Sequence, residues 1–335
     1  MSFIDKLIQE KKRPLFVLAP MADVTDIAFR TVISQAASPD IYWIEFVSAD
    51  GLIRATEEGK YKLKKDLLFD KDKQRPIIAQ LFSSTYQYMY EATKLCIELG
   101  FDGVDINMGC PDKSIEKQKC GAAMIKNPDK AIEVIKAAKD ARKDFGNNDF
   151  VVTVKTRVGY NKVEIDTWIK TLLNQGVDLI TIHARTRKEM SKVPANWDYV
   201  KQVVNMRDEF AKNNPDKKVP YIFGNGDVQS IKDGYEKCDH ANADGAMIGR
   251  AMFGNPWFFK DIENEYTPTR EDRIKFLIEQ VKIFDRELGD VKSFAVMKKF
   301  FKTYMAGFDD AKDIRGEIME MSEAGEVIKF LEGKL

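Results

Sequence analysis

Eight short runs of β-forming residues recur along the first three-quarters of this chain, and segments able to coil into helices lie between them. The runs fall at Leu15 to Ala19, Ile41 to Val47, Ile77 to Leu81, Gly103 to Asn107, Val151 to Lys155, Leu179 to His183, Val219 to Phe223 and Gly245 to Ile248. Most are apolar at nearly every position, the pattern of strands covered on both faces. Met89, Ala92, Leu95, Cys96 and Leu99 mark one intervening helical face, and Ile132, Ile135 and Ala138 mark another. Asp26 and Pro128 suit helix starts. Eight strand–helix repeats in about 250 residues predict an α/β fold of the closed (β/α)8 TIM-barrel type. An open doubly wound sheet is the alternative.

From about Thr267 the pattern becomes helical alone. Ile274, Leu277, Val281, Phe284 and Leu288 step by three and four, as do Phe294, Met297, Phe301 and Tyr304, and then Ile314, Ile318 and Met321. A chain of 335 residues also exceeds the usual single core. We therefore expect a barrel domain over 1–266 and a C-terminal all-α helical domain over 267–335.

Charge narrows the function. Lys and Arg number 53 and Asp and Glu 53, so no global attraction to nucleic acid or membrane exists, and a polyanion must be met by a local patch. Four cysteines without C-x-x-C pairing and only two histidines argue against a zinc site, and a reduced compartment fits. The first 13 residues lack an apolar signal core and no later run is long enough for a bilayer, so a cytoplasmic location, with no membrane and no metal, is expected.

The fourth run breaks at Asp105-Ile-Asn-Met-Gly-Cys-Pro111. Pro111 cannot continue a ladder and Gly109 tolerates unusual backbone angles, so Asn107 and Cys110 are held at a strand's carboxyl end, where α/β folds place their chemistry. By itself the thiol is a nucleophile, proton donor, ligand or inert packing group, the last being the commonest. The other strand ends are also polar: Gln80, Lys155 with Arg157, His183 with Arg185, Gly224-Asn-Gly-Asp227, and Gly249-Arg250. Taken singly, Gln80, Lys155 and His183 are each explained by packing. Glycine-rich turns after strands seven and eight suit a phosphate cradle, with Arg250 adding charge. No G-x-G-x-x-G follows strand one, so no separate nicotinamide-binding domain is indicated.

Together Pro20-Met-Ala22, Val24-Thr-Asp26, Phe29-Arg30, Gln80-Leu-Phe82, Asp105 to Pro111, Lys155-Thr-Arg157, His183-Ala-Arg-Thr186, Asn225-Gly-Asp227 and Ile248-Gly-Arg250 resemble the tRNA-dihydrouridine synthase family. The resemblance runs from about Pro14 into the C-terminal helices. It implies an FMN at the barrel mouth, tRNA as substrate, and NADPH as reductant. By matching positions Pro20, Met21 and Ala22 line the flavin ring, Gln80, Lys155 and His183 bond its polar edge and ribityl chain, and Asn225, Gly226, Asp227, Gly249 and Arg250 hold its phosphate. Hydride adds to C6 of a uracil and an acid protonates C5; Cys110 suits that acid. Asn107 is assigned to the uracil and Arg185 to a carbonyl or phosphate.

The stretch from Cys110 to Asn127 reads as a long polar lid. Cys120, a rival thiol, stands where the family more often has a small residue, Asp23 replaces a frequent glycine, and Ala184 replaces the glycine between His183 and Arg185. From Arg270 to Lys302 there are nine Lys and Arg against six Asp and Glu. Lys298, Lys299 and Lys302 are expected to share a helix face that meets tRNA phosphates, with steep salt dependence. A monomer is expected. Competing readings are a reductase of free pyrimidines, an RNA-binding protein with a vestigial barrel, and an aldolase using Lys155 as a Schiff base, which leaves Cys110 unexplained.

Overall fold

Eight parallel strands form where the sequence places them: β1 (Leu15–Leu18), β2 (Tyr42–Ser48), β3 (Ile77–Phe82), β4 (Gly103–Met108), β5 (Val151–Arg157), β6 (Leu179–His183), β7 (Tyr221–Asn225) and β8 (Gly245–Ile248). The computed structural model describes residues 1–145, 149–262 and 266–335. Neighbours run β1-β8-β7-β6-β5-β4-β3-β2, and the sheet closes as Asp40 N donates to Phe16 O (2.9 Å) and Leu18 N to Ile41 O (3.2 Å). The largest displacement from expectation is that of β7, by two residues at each end. Pro220 has no N–H for the ladder, so pairing begins at Tyr221 and extends to Asn225.

Strand alternation decides what faces inward. Leu15, Val17, Trp43, Ile78, Val151, Leu179, Phe223 and Met247 fill the lower barrel as one apolar cluster. The same parity carried toward the strands' carboxyl ends brings in Gln80, Asp105, Asn107, Lys155, His183 and Asn225. The opposite end is stoppered by a helix, Phe3–Lys11, capped by Ser2 and Asp5, whose buried Ile4 joins the inner cluster. Reading residues 1–13 as merely lacking a signal core missed this plug.

Beyond the barrel, helices Arg270–Leu288, Lys298–Tyr304, Ala311–Glu320 and Ala324–Glu332 confirm the helical periodicity. The first packs on the barrel helix Ile27–Ala36, and Phe300 meets Phe29 and Phe253 with ring centroids 5.3 and 5.1 Å apart. One apolar cluster runs from the barrel's outer layer into these helices, so no polar seam marks the expected 266/267 boundary; 263–265, beside it, lie outside the described residues. A buried ionic contact adds to the joint. Lys292 reaches Asp66 Oδ1 at 2.9 Å and Glu45 Oε2 at 3.1 Å, with Asp23 Oδ1 at 3.7 Å. Asp23 has φ 55°, a left-handed conformation in which glycine is the easiest residue and aspartate one of the better tolerated, so its departure from the family's glycine fits the fold. Among the described residues, no helix is long and apolar enough to cross a membrane.

Candidate active site

The turn after β4 is built from its own side chains. Asn107 Oδ1 accepts from Gly109 N (3.1 Å) and Cys110 N (2.9 Å), folding the backbone back on itself. Arg157 Nε donates to Gly109 O (2.7 Å) from the next strand. Gly121, at φ 61°, lets the returning segment close on Cys110, since a Cβ there would lie 2.6 Å from Cys110 O. Cys110 thereby lines a cavity of about 170 Å³ with Gln80, Asn107, Lys155, Arg157 and His183. Burial pushes its thiol above the ordinary value, so it stays protonated at neutral pH.

Cys120 sits 1% exposed under the turn, its thiol pushed up to about 12 by burial, and lines no part of this cavity. The expected polar lid is also more ordered than its composition suggested. Residues Lys113–Lys117 form a short helix latched by Glu116 to Arg187, and Gly121–Lys126 a 3₁₀ turn buried from Gly121 to Ile125. The lid's exposed residues are 112–114, 117–119 and Lys126.

A second cavity of about 260 Å³ shares Pro20, Lys155 and His183 with the first, so the two form one elongated cleft. Lys155 Nζ, at the junction, has no hydrogen bond or ion pair among the described residues; burial and Arg157 lower its pKa to about 8 against the pull of Asp105. His183 is held well below its usual value by burial and by Arg157, Lys155 and Arg185, and so is neutral. Arg185 Nη1, a donor only, lies 3.1 Å from His183 Nε2; that nitrogen accepts and the ring proton sits on Nδ1. Outward, the cleft continues along Asn225, Gly226, Asp227, Gly249 and Arg250. Asn225 is tied by Nδ2 to Met247 O (2.7 Å).

Several assignments change. Arg185 is 2% exposed, and its Nε, Nη1 and Nη2 turn to Val193 O (2.6 Å), His183 and Asp227, so it braces the wall of the cleft that it lines. Asp227 uses its carboxylate to grip Arg185, Arg250 (2.6 Å) and Ala195 N (2.8 Å), leaving its main chain as the part able to face an anion. Gly224 belongs to packing: a Cβ there would lie 2.2 Å from the Trp197 ring. Gly226 lines the cleft, with φ 128° and Ala195 2.7 Å from a would-be Cβ. Pro20 and Met21 line the cleft, but Ala22 is exposed and outside it, and Ala19 takes its place because strand parity points 19 inward. Asn107 spends its oxygen on the turn and its Nδ2 on Gln80 Oε1 (2.9 Å), so it positions Cys110 instead of offering its whole amide to a base.

Lys298, Lys299 and Lys302 do not form one exposed patch. Lys298 Nζ donates to Met319 O (2.7 Å), Lys299 is half-buried toward Asp23 and Asp26, and only Lys302 is exposed. The site also includes residues left unassigned from sequence, notably Arg157, Phe46 and Met247. Arg157 was visible as the next inward residue after Lys155.

The dihydrouridine synthase (Dus) family model matches residues 17–334. The chain belongs to the dihydrouridine synthase family. It is 35% identical over 325 residues to a Staphylococcus aureus (strain COL) protein named "Probable tRNA-dihydrouridine synthase", covering 96% of this chain and 94% of that one. It is 34% identical over 326 residues to "Probable tRNA-dihydrouridine synthase 2" of Bacillus subtilis (strain 168), covering 97% and 95%. Among solved structures, 2-naphthoyl-CoA reductase in complex with 2-naphthoyl-CoA aligns with TM-score 0.54 and 10% identity over 74% of this chain and 49% of that one. Histamine dehydrogenase from Rhizobium sp. 4-9 aligns with TM-score 0.51 and 12% identity over 80% and 48%. The chain spans about half the length of these two, and they bear on the fold alone. As a dihydrouridine synthase the protein is an oxidoreductase of a flavin-dependent family. The cleft fits a flavin on its own terms: it is elongated, carries at its middle a cation with no partner among the described residues, and ends in a glycine turn beside Arg250.

Proposed function

We propose that this protein reduces the C5=C6 bond of a uridine in tRNA to 5,6-dihydrouridine, with FMN in the cleft and NADPH as the reductant. The observation that carries the reading is the placement of Cys110 in one cavity with Gln80, Lys155 and His183, continuous with the Asn225–Arg250 turn region. Pro20 and Met21 would wall the ring system, Lys155 would meet its electron-rich edge, and Asn225, Gly226, the Asp227 main chain, Gly249 and Arg250 would hold the phosphate. A reduced flavin, when bound, supplies the hydride for C6 of the uracil. Cys110 Sγ supplies the proton for C5. Because burial keeps the thiol protonated, it serves as an acid without first having to recover a proton from solvent. Arg157, held by Gly109 O, lines the Cys110 cavity and would draw a uracil carbonyl into place.

Cys110→Ala is expected to keep flavin and to oxidise NADPH, while dihydrouridine formation falls about 10²- to 10⁴-fold. Mass spectrometry of tRNA, scoring the gain of two mass units, reads the result. Undiminished product from that variant removes the thiol from the mechanism, and turnover of free uridine as fast as tRNA favours a free-pyrimidine reductase.

Exposed cations stand on the loops beyond β4 and β6: Lys113, Lys117, Lys119, Lys188 and Lys192. With Lys298 and Lys299 engaged elsewhere, these and Lys302 are the groups we assign to tRNA phosphates. Replacing Lys113 and Lys117 together with alanine is expected to weaken tRNA binding and reduce the slope of log K against log salt by about 2. An unchanged slope places the phosphates elsewhere.

A further inference from the structure

Three side chains link the floor of the cleft to the turn that carries Cys110. Asp105 is fully buried at the inner face of β4, where Oδ1 accepts from Thr153 Oγ1 (2.6 Å) and Oδ2 from Gln80 Nε2 (2.5 Å). Gln80 Oε1 accepts from Asn107 Nδ2 (2.9 Å), and Asn107 Oδ1 accepts the Gly109 and Cys110 N–H groups. None of these groups is charged at the turn itself. The direction of the chain nevertheless matters, because a carboxamide turned end for end would present NH₂ to two backbone N–H donors.

Amides do not choose a direction by shape, since their oxygen and nitrogen ends are nearly the same size. An ionised carboxylate does choose, because it only accepts. Burial pushes Asp105 up to about 6, which still leaves it ionised at neutral pH. Its acceptor character forces the NH₂ of Gln80 inward and the oxygen of Gln80 toward Asn107. That in turn sends the NH₂ of Asn107 to Gln80 and leaves its oxygen for the turn.

We propose that Asp105 is a positioning residue for the reduction: it sets the donor–acceptor direction of the Gln80–Asn107 pair and so holds Cys110 where it faces the cleft. The catalytic part of this inference rests on the proposed role of Cys110, whereas the structural part, the direction of the chain, stands without it. In Asp105→Asn the Thr153 hydroxyl keeps Oδ1, because its other acceptor, Val104 O, is 3.5 Å away. The new NH₂ then faces Gln80 and the chain reverses. In the double variant Gln80→Glu/Asp105→Asn the carboxylate moves one place along. It accepts on both sides, and the original direction at Asn107 returns.

The experiment is hydrogen exchange of the flavin-loaded, full-length protein, followed by mass spectrometry of peptides covering residues 108–112, together with single-turnover dihydrouridine formation. Asp105→Asn is expected to speed exchange at 109 and 110 at least tenfold and to slow turnover at least tenfold, and the double variant to restore exchange at 109 and 110 to within a few-fold of the parent. A change of charge near Lys155 alone would slow turnover without moving exchange at 109–110, and that result overturns the proposal, as does a double variant whose exchange there is as fast as that of the single one. If exchange follows the swap but Cys110→Ala has already left product formation intact, the hydrogen-bonded chain stands and the assignment of the acid fails.

Discussion

Lys155→Met is expected to yield a protein that melts at a higher temperature without flavin than the parent does, and that no longer keeps flavin. The two effects share one cause. Lys155 holds a cation inside the barrel mouth with no partner among the described residues, and burial, with Arg157 beside it, lowers its pKa to about 8. Set against its ordinary 10.5, that shift corresponds to a cost on the order of 2 kcal/mol once the solvent in the cleft is allowed for. The cost is full below about pH 8, where both folded and unfolded chains carry the proton. It fades between about 8 and 10.5, where the unfolded chain binds more protons than the folded one, so stability from this group rises with pH. Methionine fills the same space without charge. The variant's thermal advantage, a few degrees at pH 7, should therefore vanish near pH 10.5. Removing a charged hydrogen-bond donor should at the same time weaken flavin binding at least tenfold. Thermal melts at the two pH values and flavin titration by fluorescence check both. Parent-like flavin affinity in the variant would show that Lys155 is not the group that meets the flavin.

What could be seen in the sequence followed from periodicity, and what could not followed from contacts between distant segments. The eight strands announced themselves because a buried parallel strand has to be apolar on both faces. Their inward parity was also present, and applied strictly it would have named Asp105, Arg157 and Ala19 and dropped Ala22. Gly224 and Gly226 look alike in a string. Only the structure separates a glycine that admits Trp197 from one that takes φ 128° beside His183. Arg185 and Asn107 both line the cleft, but a sequence does not show that each turns most of its polar atoms to partners within the protein. The three lysines of 298–302 failed as a patch for a similar reason. Helical spacing places their stems, while the partners Met319, Asp23 and Asp26 come from elsewhere in the chain.

Lys292→Ala is expected to destabilise the protein by about 3–5 kcal/mol, more than any exposed lysine would, because it leaves buried carboxylates unpaired. The Lys292 side chain is 16% exposed and that of Glu45 5%, so little solvent is at hand to replace the lost partner. Burial by itself would lower the pKa of Lys292, yet Glu45 and Asp66 outweigh it and hold the group above its usual value. Glu45 carries the complementary signature, raised by burial and by Asp26 and Asp66 and lowered by Lys292. Without the lysine its folded pKa rises further above the unfolded value. The folded variant then binds more protons than the unfolded chain from the ordinary carboxylate range upward, and loses stability as pH rises through that window. The gap between parent and variant should therefore be small near pH 5 and widest above pH 7. Since Lys292 belongs to the loop following the Arg270–Leu288 helix and its partners to the β1 and β2 region, the same substitution should loosen the joint between helices and barrel. Weaker tRNA binding with flavin still bound is the expected consequence. Denaturant unfolding at pH 5 and pH 8 gives the decisive comparison: equal losses at both would mean that Lys292 does not neutralise buried acid groups, and the joint would have to rest on apolar packing such as that of Phe300 on Phe29 and Phe253.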